Sequence, residues 1–253
     1  MTFRGQVAVV TGAASGMGRL AARRLAASGA TVIAVDVDEP GLIETARRND
    51  NTIGRVVDVT DADAVAVLAK EVEAEHGPID RLMHAAAIAP TARLLEQPIE
   101  VVHRVMAVNY GGTVNVARAV VPAMVERDRG DVVVFASLAG WFTAPAFGAY
   151  TASKFAVVAF AETLAIELHR SALRICCVCP PIVDTPLLDQ IDEAALHDQP
   201  KLAPEVVLDA VERALERGRL YTFPGPVTPT LVRARKFLPG LVRRRMAALG
   251  DQQ

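Results

Sequence analysis

A tyrosine and a lysine stand four positions apart, as Tyr150 and Lys154, in the stretch AYTASK. On a helix, residues at this spacing share one face and about one turn. A free tyrosine has a pKa of about 10 and is a poor base at neutral pH, but a nearby ammonium favours the phenolate. The spacing therefore predicts a tyrosine that works in acid–base catalysis. The alternative is an ordinary solvated helix pair.

Two polar residues upstream are candidates for the same site. Ser137 ends the apolar run VVVFAS, and Tyr150 follows 13 residues later. Asn109 lies in the segment AVNYGGT. A hydroxyl at a strand end is able to hydrogen-bond a substrate oxygen and to orient a carbonyl group.

A glycine-rich loop follows the first apolar run. The stretch TGAASGMG places Gly12, Gly16 and Gly18 around Ser15 and Met17. The spacing is a variant of the G-x-G-x-x-G fingerprint, in which glycines let the backbone approach a pyrophosphate and a helix N-terminus supplies N–H groups. The loop predicts a dinucleotide site, and the alternative is a turn that only closes the strand–helix connection.

Two acidic residues follow the next two apolar runs. Asp36 stands where a carboxylate accepts hydrogen bonds from the adenosine ribose. The same charge repels the 2′-phosphate of NADP, and Ser15 and Val37 supply no cation to offset it, so NAD is favoured over NADP. Asp58 and Val59 are placed to meet the adenine edge. The alternatives are an ordinary strand-end acid for Asp36 and a helix cap for Asp58.

Apolar runs and helical patterns alternate along the chain, which predicts βαβ units. The runs are almost continuously apolar, as in strands that are covered on both faces. We therefore expect a single-domain α/β fold, a Rossmann-type doubly wound parallel sheet with helices on both faces. Strands are predicted at 6–12, 31–36, 53–59, 80–87, 131–137, 173–180 and 219–224, and helices at 16–28, up to about 49, and at 61–76, 98–108, 110–127, 150–170 and 204–217.

Composition narrows the class of protein. Apolar residues make up 51% of the chain, without a run of the roughly 18 that a membrane span needs. No signal-peptide core precedes Thr11, so a cytoplasmic protein is expected. Six cations lie within 231–246, which leaves an acidic body that argues against nucleic acid as a partner. The cysteines match no zinc or disulfide pattern and are expected to be buried in a strand, and no metal is predicted: they are Cys176, Cys177 and Cys179.

Taken in order, these motifs resemble the short-chain dehydrogenase/reductase family in its shorter form, over residues 5–223. The resemblance implies that Tyr150 exchanges the substrate proton, that Ser137 orients the carbonyl, and that Lys154 also holds the nicotinamide ribose. It implies a proton-relay water positioned by Asn109. It also implies a homo-oligomer, a tetramer or a dimer, formed through the two helices at 110–127 and 150–170. Further residues implied at the cofactor are Ala85, Ala86, Val183 and Thr185.

Two segments depart from the family pattern. After the fourth strand the family usually has Asn-Asn-Ala-Gly, where this chain reads HAAA at 84–87, and Ala85 cannot form the side-chain bonds of an amide. We expect His84 to be a strand-end histidine bonded to backbone; the alternative is that it replaces some of the missing amide bonds. Pro-Pro at 180–181 replaces Pro-Gly, and Pro181 cannot adopt positive φ. We expect a locally altered loop that still binds the cofactor.

The segment 138–149 carries no charge, which favours an apolar substrate. We therefore expect an NAD-dependent enzyme that interconverts an apolar secondary alcohol and its ketone. The alternatives are an NADPH-dependent 3-oxoacyl reductase, which Asp36 opposes, and a dinucleotide-binding sensor without turnover. The alternative for Trp141 is that it packs at a contact between subunits instead of lining the pocket. The side chains predicted to line the pocket, under a mobile lid at 186–198, are Trp141, Phe142, Phe147 and Leu187.

The end of the chain is the part that the family resemblance covers least. Residues 1–228 are predicted as the dinucleotide-binding catalytic domain, and 229–253 as a basic amphipathic extension of it. Pro-Gly at 239–240 would break this extension into two short helices. We expect a helix packed on its own oligomer. Peripheral membrane contact and a disordered end are the alternatives.

Overall fold

Seven parallel strands form one sheet in the computed structural model, which describes residues 5–192 and 200–225 together with Phe3, Leu196, Thr230, Val232 and Gly240. The strands are β1 Val7–Thr11, β2 Thr31–Asp36, β3 Thr52–Val56, β4 Ile79–His84, β5 Asp131–Phe135, β6 Arg174–Val178 and β7 Tyr221–Thr222. Their order across the sheet is β3-β2-β1-β4-β5-β6-β7, and every neighbouring pair is parallel. The predicted 229–253 extension, apart from three isolated residues, and most of 193–198 in the predicted lid lie outside the described residues.

Helices cover both faces of the sheet. One core lies between the sheet and the first, second and last helices, and the other lies between the sheet and the remaining long helices. The near-continuous apolar strands therefore have apolar contacts on both sides, as their sequence requires. The helices are α1 Gly16–Ala27, α2 Glu39–Ala46, α3 Ala62–His76, α4 Ile99–Met106, α5 Gly112–Glu126, α6 Gly148–Glu167 and α7 Pro204–Glu216.

This architecture confirms the predicted α/β fold and shortens every predicted strand except β2 at its carboxyl end, most of all β3 and β4. β3 ends at Val56 and β4 ends at His84, rather than at residues 59 and 87. The last pairs of the β4 ladder join His84 to Thr11 on β1 and to Val134 on β5. We expected the His84 ring to bond to backbone, and this is wrong: its Nδ1 lies 2.7 Å from the Thr11 hydroxyl. The residues that follow each strand are therefore loop residues at the carboxyl edge of the sheet, where a ligand is able to reach them.

The cysteine segment lies on β6 and just beyond it, as predicted. Cys177 and Cys179 are buried on one face of the sheet and Cys176 on the other. All three are free thiols, and burial raises the pKa of Cys176 to about 12. A thiol with so high a pKa is unreactive, so Cys176 acts as a small hydrophobic residue.

One continuous helical segment replaces the two separate helices predicted at 98–108 and 110–127. α4 runs directly into a π-helical turn at Ala107–Gly111, and this turn runs directly into α5. A π-helical turn widens a helix by one residue and is frequent at functional sites. The predicted break at this position is therefore wrong, and the turn that takes its place carries Asn109.

By length and mean hydropathy alone, α6 would be able to cross a membrane, although the apolar pattern predicted no such segment. In the structure α6 packs on the sheet, with Val157 and Ala161 fully buried. The same helix carries both Tyr150 and Lys154. Its apolar composition is thus used to bury one face against the core.

Four charged residues meet near the amino ends of the strands, at the edge opposite the predicted site. Arg81 is only 1% exposed. Its guanidinium donates to Asp131 Oδ2 at 2.9 and 2.7 Å and to Glu212 Oε1 at 2.6 Å. Arg174 donates to Asp131 Oδ1 at 2.6 Å, and the Phe3 ring covers Arg81 at 4.6 Å. Two cations and two carboxylates balance, and they join β4, β5, β6 and α7.

Arg81→Met is expected to lower the free energy of unfolding by about 3–5 kcal/mol, because it leaves two buried carboxylates with less compensating charge. The matched control is Arg129→Met. Arg129 is two-thirds exposed and donates to Asp80 at 2.9 Å, so its loss is expected to cost less than about 1 kcal/mol. Urea unfolding at one protein concentration measures both, and equal losses would contradict a structural role for the buried network.

Candidate active site

A cleft of about 330 Å³ opens at the carboxyl ends of the strands, next to the junction of β1 and β4. The strand order reverses at this junction, which is where doubly wound sheets bind their ligands. The cleft therefore lies where the fold places a nucleotide. It brings together most of the residues predicted at the cofactor, namely Gly12, Ser15, Gly16, Met17, Gly18, Asp36, Asp58, Val59, Ala85, Ala86 and Thr185.

The glycine loop lines the cleft at the start of α1. Gly12 has φ +66°, and a Cβ there would stand 2.7 Å from the Ala86 nitrogen, so this approach of two loops requires glycine. α1 begins at Gly16, and the Ser15 side chain makes no capping hydrogen bond. The first N–H groups of α1 are thus available to an anionic group, as a phosphate loop requires.

Asp36 places a fixed negative charge at one end of the cleft. Its carboxylate accepts the Ala14 N–H at 3.0 Å and the Val37 N–H at 2.8 Å. The nearby cation Arg19 does not pair with it in the structure. Instead the Arg19 guanidinium donates to Thr45 Oγ1 at 3.1 Å and to the Ala14 carbonyl. The charge of Asp36 is therefore held by backbone groups.

Asp58 lies in the loop after β3 and does not cap a helix. Its carboxylate accepts the Thr60 N–H at 2.9 Å and the Thr60 hydroxyl at 2.8 Å. The N-cap of α3 is Asp61, which accepts the Ala64 N–H at 2.9 Å. The helix-cap alternative for Asp58 is therefore wrong, and its carboxylate stiffens a loop that lines the cleft.

Three polar side chains meet where β5 ends against α6. The Ser137 hydroxyl lies close enough to the Tyr150 phenol to lower its pKa, and Ser137 Oγ accepts the Ala139 N–H at 3.1 Å. Lys154 Nζ lies 5.6 Å from the centroid of the Tyr150 ring and donates to the Phe135 carbonyl at 2.8 Å. Tyr150 is 8% exposed and Lys154 is 3% exposed. The arrangement suits a proton exchange at the Tyr150 oxygen in a dry environment.

Burial dominates the titration of both groups. It raises the pKa of the Tyr150 phenol, and the hydrogen bond from Ser137 opposes the rise only in part. It lowers the pKa of the Lys154 ammonium to about 8. The Tyr–Lys spacing predicted a lowered pKa for Tyr150, and the structure shows the reverse direction. Desolvation of the phenolate is the larger of the two causes and decides the direction.

The Asn109 amide is a clamp between two segments. Its Oδ1 accepts the Ile88 N–H at 2.9 Å, and its Nδ2 donates to the Ile88 carbonyl at 3.0 Å and to Ser153 Oγ at 2.9 Å. The Ser153 hydroxyl in turn donates to the Tyr150 carbonyl at 2.7 Å. Both N–H donors of the amide are therefore in use, and the side chain fixes the start of α6 against the loop after β4.

The segment after β6 carries the two residues predicted near the nicotinamide. Thr185 lines the cleft, and Val183 is buried behind it in a bridge with Leu202. The Pro180 carbonyl accepts the Leu138 N–H at 2.8 Å, which joins this segment to the turn after Ser137. Within the described ranges, no group of three or more His, Cys, Asp or Glu residues is placed to hold a metal.

Two polar side chains that the sequence pattern did not single out also line the cleft. Gln190, in the described part of the lid, accepts the Ala89 N–H at 2.9 Å, and the Asp192 N–H donates to Thr91 Oγ1 at 2.9 Å. The lid is thus tied to the loop after β4. Arg104 brings a positive charge from α4. The sequence signal that could have identified Arg104 was its position on the helix that leads to the turn with Asn109.

Trp141 packs beside β6 and β7 and does not line the dinucleotide cleft. Its Nε1 lies 3.3 Å from Cys179 Sγ, and its ring meets Tyr221 and Phe223 edge-on at 5.3 and 5.5 Å. The turn after Ser137 directs this side chain to the apolar surface beside β6 and β7, where its N–H has a sulfur partner, and its place in a substrate pocket stays a prediction.

The other predicted pocket residues lie closer to the reacting groups. The Phe147 ring meets the Tyr150 ring edge-on at 6.4 Å. Phe142 is half-buried in the turn after Ser137. Leu187 lines the dinucleotide cleft. Phe147 is therefore the apolar side chain that the structure places directly beside the phenol.

Comparison with known families matches residues 6–196 to the family described as short chain dehydrogenase. The matched stretch includes the glycine loop, Asp36 and the Ser137, Tyr150 and Lys154 group. The chain belongs to this family. The altered HAAA segment lies inside the matched region.

Curated relatives resemble this short-chain dehydrogenase over parts of their length. The chain is 38% identical over 181 residues to "Probable oxidoreductase EphD" of Mycobacterium tuberculosis (strain H37Rv), which covers 70% of this chain and only 31% of that longer protein. It is 34% identical over 213 residues to the 2-dehydro-3-deoxy-L-rhamnonate dehydrogenase (NAD(+)) of Sphingomonas sp. (strain SKA58). The second match covers 84% of this chain and 86% of the relative.

Solved structures of the family superpose on this dehydrogenase over nearly its whole length. A short-chain dehydrogenase/reductase from Burkholderia phymatum in complex with NAD has a TM-score of 0.84 at 28% identity, covering 95% of this chain and 96% of that one. A short chain dehydrogenase from Burkholderia cenocepacia J2315 in complex with NADP also has a TM-score of 0.84, at 26% identity, covering 97% and 99%. The family fold is thus found with either dinucleotide.

Lys154→Met is expected to change how the stability of this dehydrogenase depends on pH. A lysine whose pKa in the folded chain, about 8, lies below its ordinary value of 10.5 opposes folding while it is charged. This penalty is fully present below pH 8 and is lost as pH rises toward 10.5. Between pH 7 and pH 10 the wild type should therefore gain about 2–3 kcal/mol relative to Lys154→Met.

Chemical unfolding at the two pH values measures this difference. The control is Lys70→Met, at an exposed lysine on α3, for which no such change with pH is expected. A constant difference between Lys154→Met and the wild type would contradict the burial of a charged ammonium.

Proposed function

We propose that this short-chain dehydrogenase interconverts an apolar secondary alcohol and its ketone with NAD, and that Tyr150 is its general acid and base. The observation that carries the proposal is the contact between Ser137 and the Tyr150 phenol, one helical turn from Lys154 and at the carboxyl edge that holds the dinucleotide cleft. A solvated helix pair would not be buried or meet a serine from another element.

A nicotinamide dinucleotide fits the residues that line the cleft. The glycine loop and the first turn of α1 present N–H groups to a pyrophosphate, and Arg104 adds a cation. Asp36 offers acceptors to the adenosine ribose hydroxyls. When bound, the nicotinamide accepts the hydride from the alcohol or returns it to the ketone.

The charge arrangement around Asp36 supports NAD over NADP. Backbone N–H groups hold the Asp36 carboxylate in place. The Arg19 guanidinium donates its hydrogen bonds to a hydroxyl and a carbonyl group. A 2′-phosphate at this end of the cleft would meet the negative charge of Asp36. In these contacts Arg19 is not placed to offset that charge. Ribose hydroxyls would instead donate to the carboxylate.

The phenol of Tyr150 exchanges the substrate proton in either direction. In reduction it donates its proton to the carbonyl oxygen as hydride reaches the carbon, and in oxidation the phenolate takes the proton of the alcohol. The Ser137 hydroxyl holds the same oxygen in place. Because burial raises the pKa of Tyr150, the protonated form dominates at neutral pH and suits reduction, and oxidation gains as the pH rises.

The surroundings of the phenol favour an apolar substrate. Phe147 forms an apolar wall beside Tyr150, and the segment 138–149 carries no charge that would pair with an anionic or polyhydroxylated substrate. A ketone flanked by hydrocarbon would exclude water from the site and leave no substrate polar group without a partner.

We also propose that the enzyme is a homo-oligomer, a tetramer or a dimer, formed through α5 and α6. These helices leave apolar side chains in solvent on the single chain, among them Ile166 at 66% and Val125 at 38% exposure. Sedimentation velocity at micromolar concentration tests this, and a stable monomer would contradict it.

NAD is expected to bind at least tenfold more tightly than NADP, because the Asp36 charge repels a 2′-phosphate. Replacing Asp36 by Ala and Val37 by Arg should reverse the order. The dissociation constants of both dinucleotides, measured by calorimetry on both proteins, check this. Equal affinities, or tighter binding of NADP to the wild type, would favour the NADPH-dependent alternative.

Tyr150→Phe is expected to lower turnover by about 10²–10⁴-fold with NAD affinity within a small factor, because the phenol acts in the proton transfer and not in holding the dinucleotide loop. A panel of apolar secondary alcohols with NAD, followed at the nicotinamide absorbance, measures turnover. Tyr221→Phe, in the aromatic cluster of Trp141, is the control and should keep wild-type activity. NAD binding by the wild type without turnover of any alcohol or ketone would favour the sensor alternative.

A further inference from the structure

The loop after β4 carries exposed apolar side chains close to the reacting group. Leu94 is 59% exposed and Leu95 is 98% exposed, and Ile99, at the start of α4, is 58% exposed. A single exposed leucine is common on a protein surface, whereas neighbouring apolar side chains that form one patch mark an interaction site. The proposed chemistry does not yet use this patch.

Hydrogen bonds hold the two leucines on a fixed turn. The Gln97 N–H donates to the Arg93 carbonyl at 3.0 Å, which closes the chain around Leu94 and Leu95. The Gln97 side chain is buried below the turn, and its Nε2 donates to the Pro90 carbonyl at 3.0 Å. Because the turn is already ordered, a ligand that binds the leucines does not have to order the backbone that carries them.

Leu94 continues an apolar wall that begins at the Tyr150 phenol. The Phe147 ring meets the Tyr150 ring edge-on at 6.4 Å. Ala92, in the same loop as the leucines, pairs with Phe147 in a β-bridge. A Cβ at Gly148 would collide with the Leu94 side chain, so glycine at the first position of α6 lets this leucine lie against the helix, two residues before Tyr150.

The charges around the patch help to identify its occupant. Arg93 brings one positive charge, and Glu96 and Glu100 bring two negative charges, all on exposed side chains. Two carboxylates beside the patch would repel an anionic lipid surface. An uncharged hydrocarbon chain needs only apolar contact, and the wall that leads from the phenol to the patch supplies it.

We propose that the substrate is a secondary alcohol or ketone with a long alkyl chain, and that this chain lies across Phe147 and Leu94 onto Leu95. The inference rests on the proposed function and names the substrate class of the same site. The reacting carbon stands at the Tyr150 phenol, and each methylene group that leaves water for the wall adds to the binding free energy. Leu94 and Leu95 are thus specificity-determining residues that touch the chain and not the reacting carbon.

The first test is a series of secondary alcohols of increasing length, from butan-2-ol to decan-2-ol, with NAD. The kcat/KM of the wild type should rise about twofold with each added methylene group, because one side of the chain leaves water. Leu95→Ser should lower kcat/KM by about tenfold for decan-2-ol and by less than about twofold for butan-2-ol. The loss should appear in KM, because a contact far from the reacting carbon is equal in the ground state and the transition state.

Two further variants complete this test. Leu94→Ser should act in the same direction as Leu95→Ser, whose side chain is too exposed to be needed for folding. Val67→Ser, at a valine of α3 that is 53% exposed, is the matched control and should keep the wild-type series. A wild-type series that is flat in chain length, or a loss in Leu95→Ser that is equal for both alcohols, would overturn the proposal. Sedimentation of Leu95→Ser as a smaller species would then assign the leucines to a contact between copies of the chain.

The second test does not depend on turnover. Decan-2-one and butan-2-one are added in turn, at the same concentration and with NAD present, to the chain with carbon-13 in its leucine methyl groups. The signals of Leu94 and Leu95, assigned by their loss in the two serine variants, should shift with decan-2-one and not with butan-2-one. No shift with decan-2-one would contradict the proposal. If the wild type oxidises none of the alcohols while decan-2-one shifts both leucines, the proposed function fails and the alkyl site stands.

Discussion

All seven strands run in the same direction, and this constraint decides where the chemistry can stand. Parallel strands send their carboxyl ends to one edge of the sheet, and the crossover helices return the chain to the other. Residues far apart in sequence thereby become neighbours: the glycine loop after β1, the HAAA segment after β4 and Ser137 after β5. The opposite edge contains the Arg81 network, which links four elements without touching the cleft. Stability and chemistry thus use different ends of the same strands.

The fold and the main site groups could be predicted because their signals are local. Continuous apolar runs identify buried strands, and glycines between a strand and a helix identify a phosphate loop. The features that the sequence did not reveal depend on which distant groups meet. The hydroxyl of Thr11 meets His84 only because β1 and β4 are in register, and Trp141 turns toward Cys179 because an apolar surface is open there. The direction of the Tyr150 pKa also depended on burial, which the Tyr–Lys spacing does not report.

Burial disfavours the charged form of both central groups, although the two charges are of opposite sign. A dry site makes the phenolate of Tyr150 and the ammonium of Lys154 each harder to form. The same dryness strengthens every hydrogen bond that holds them, including those from Ser137 and to the Phe135 carbonyl. The surrounding apolar core supplies the stability that lets these groups remain buried. The unfavourable burial of the phenol and the ammonium is thus part of the site, because groups left in water would not be held ready to exchange a proton.

The π-helical turn at Ala107–Gly111 makes the length of its helix as important as its composition. Each residue of an α-helix turns the chain by about 100°. Deleting one residue here would let an ordinary α-helix form, yet it would rotate everything before the turn relative to everything after it. Asn109 could then keep its pairing with Ile88 only if Gly112 turned away from Val59 and His84. Among related chains, insertions and deletions should therefore avoid this helix.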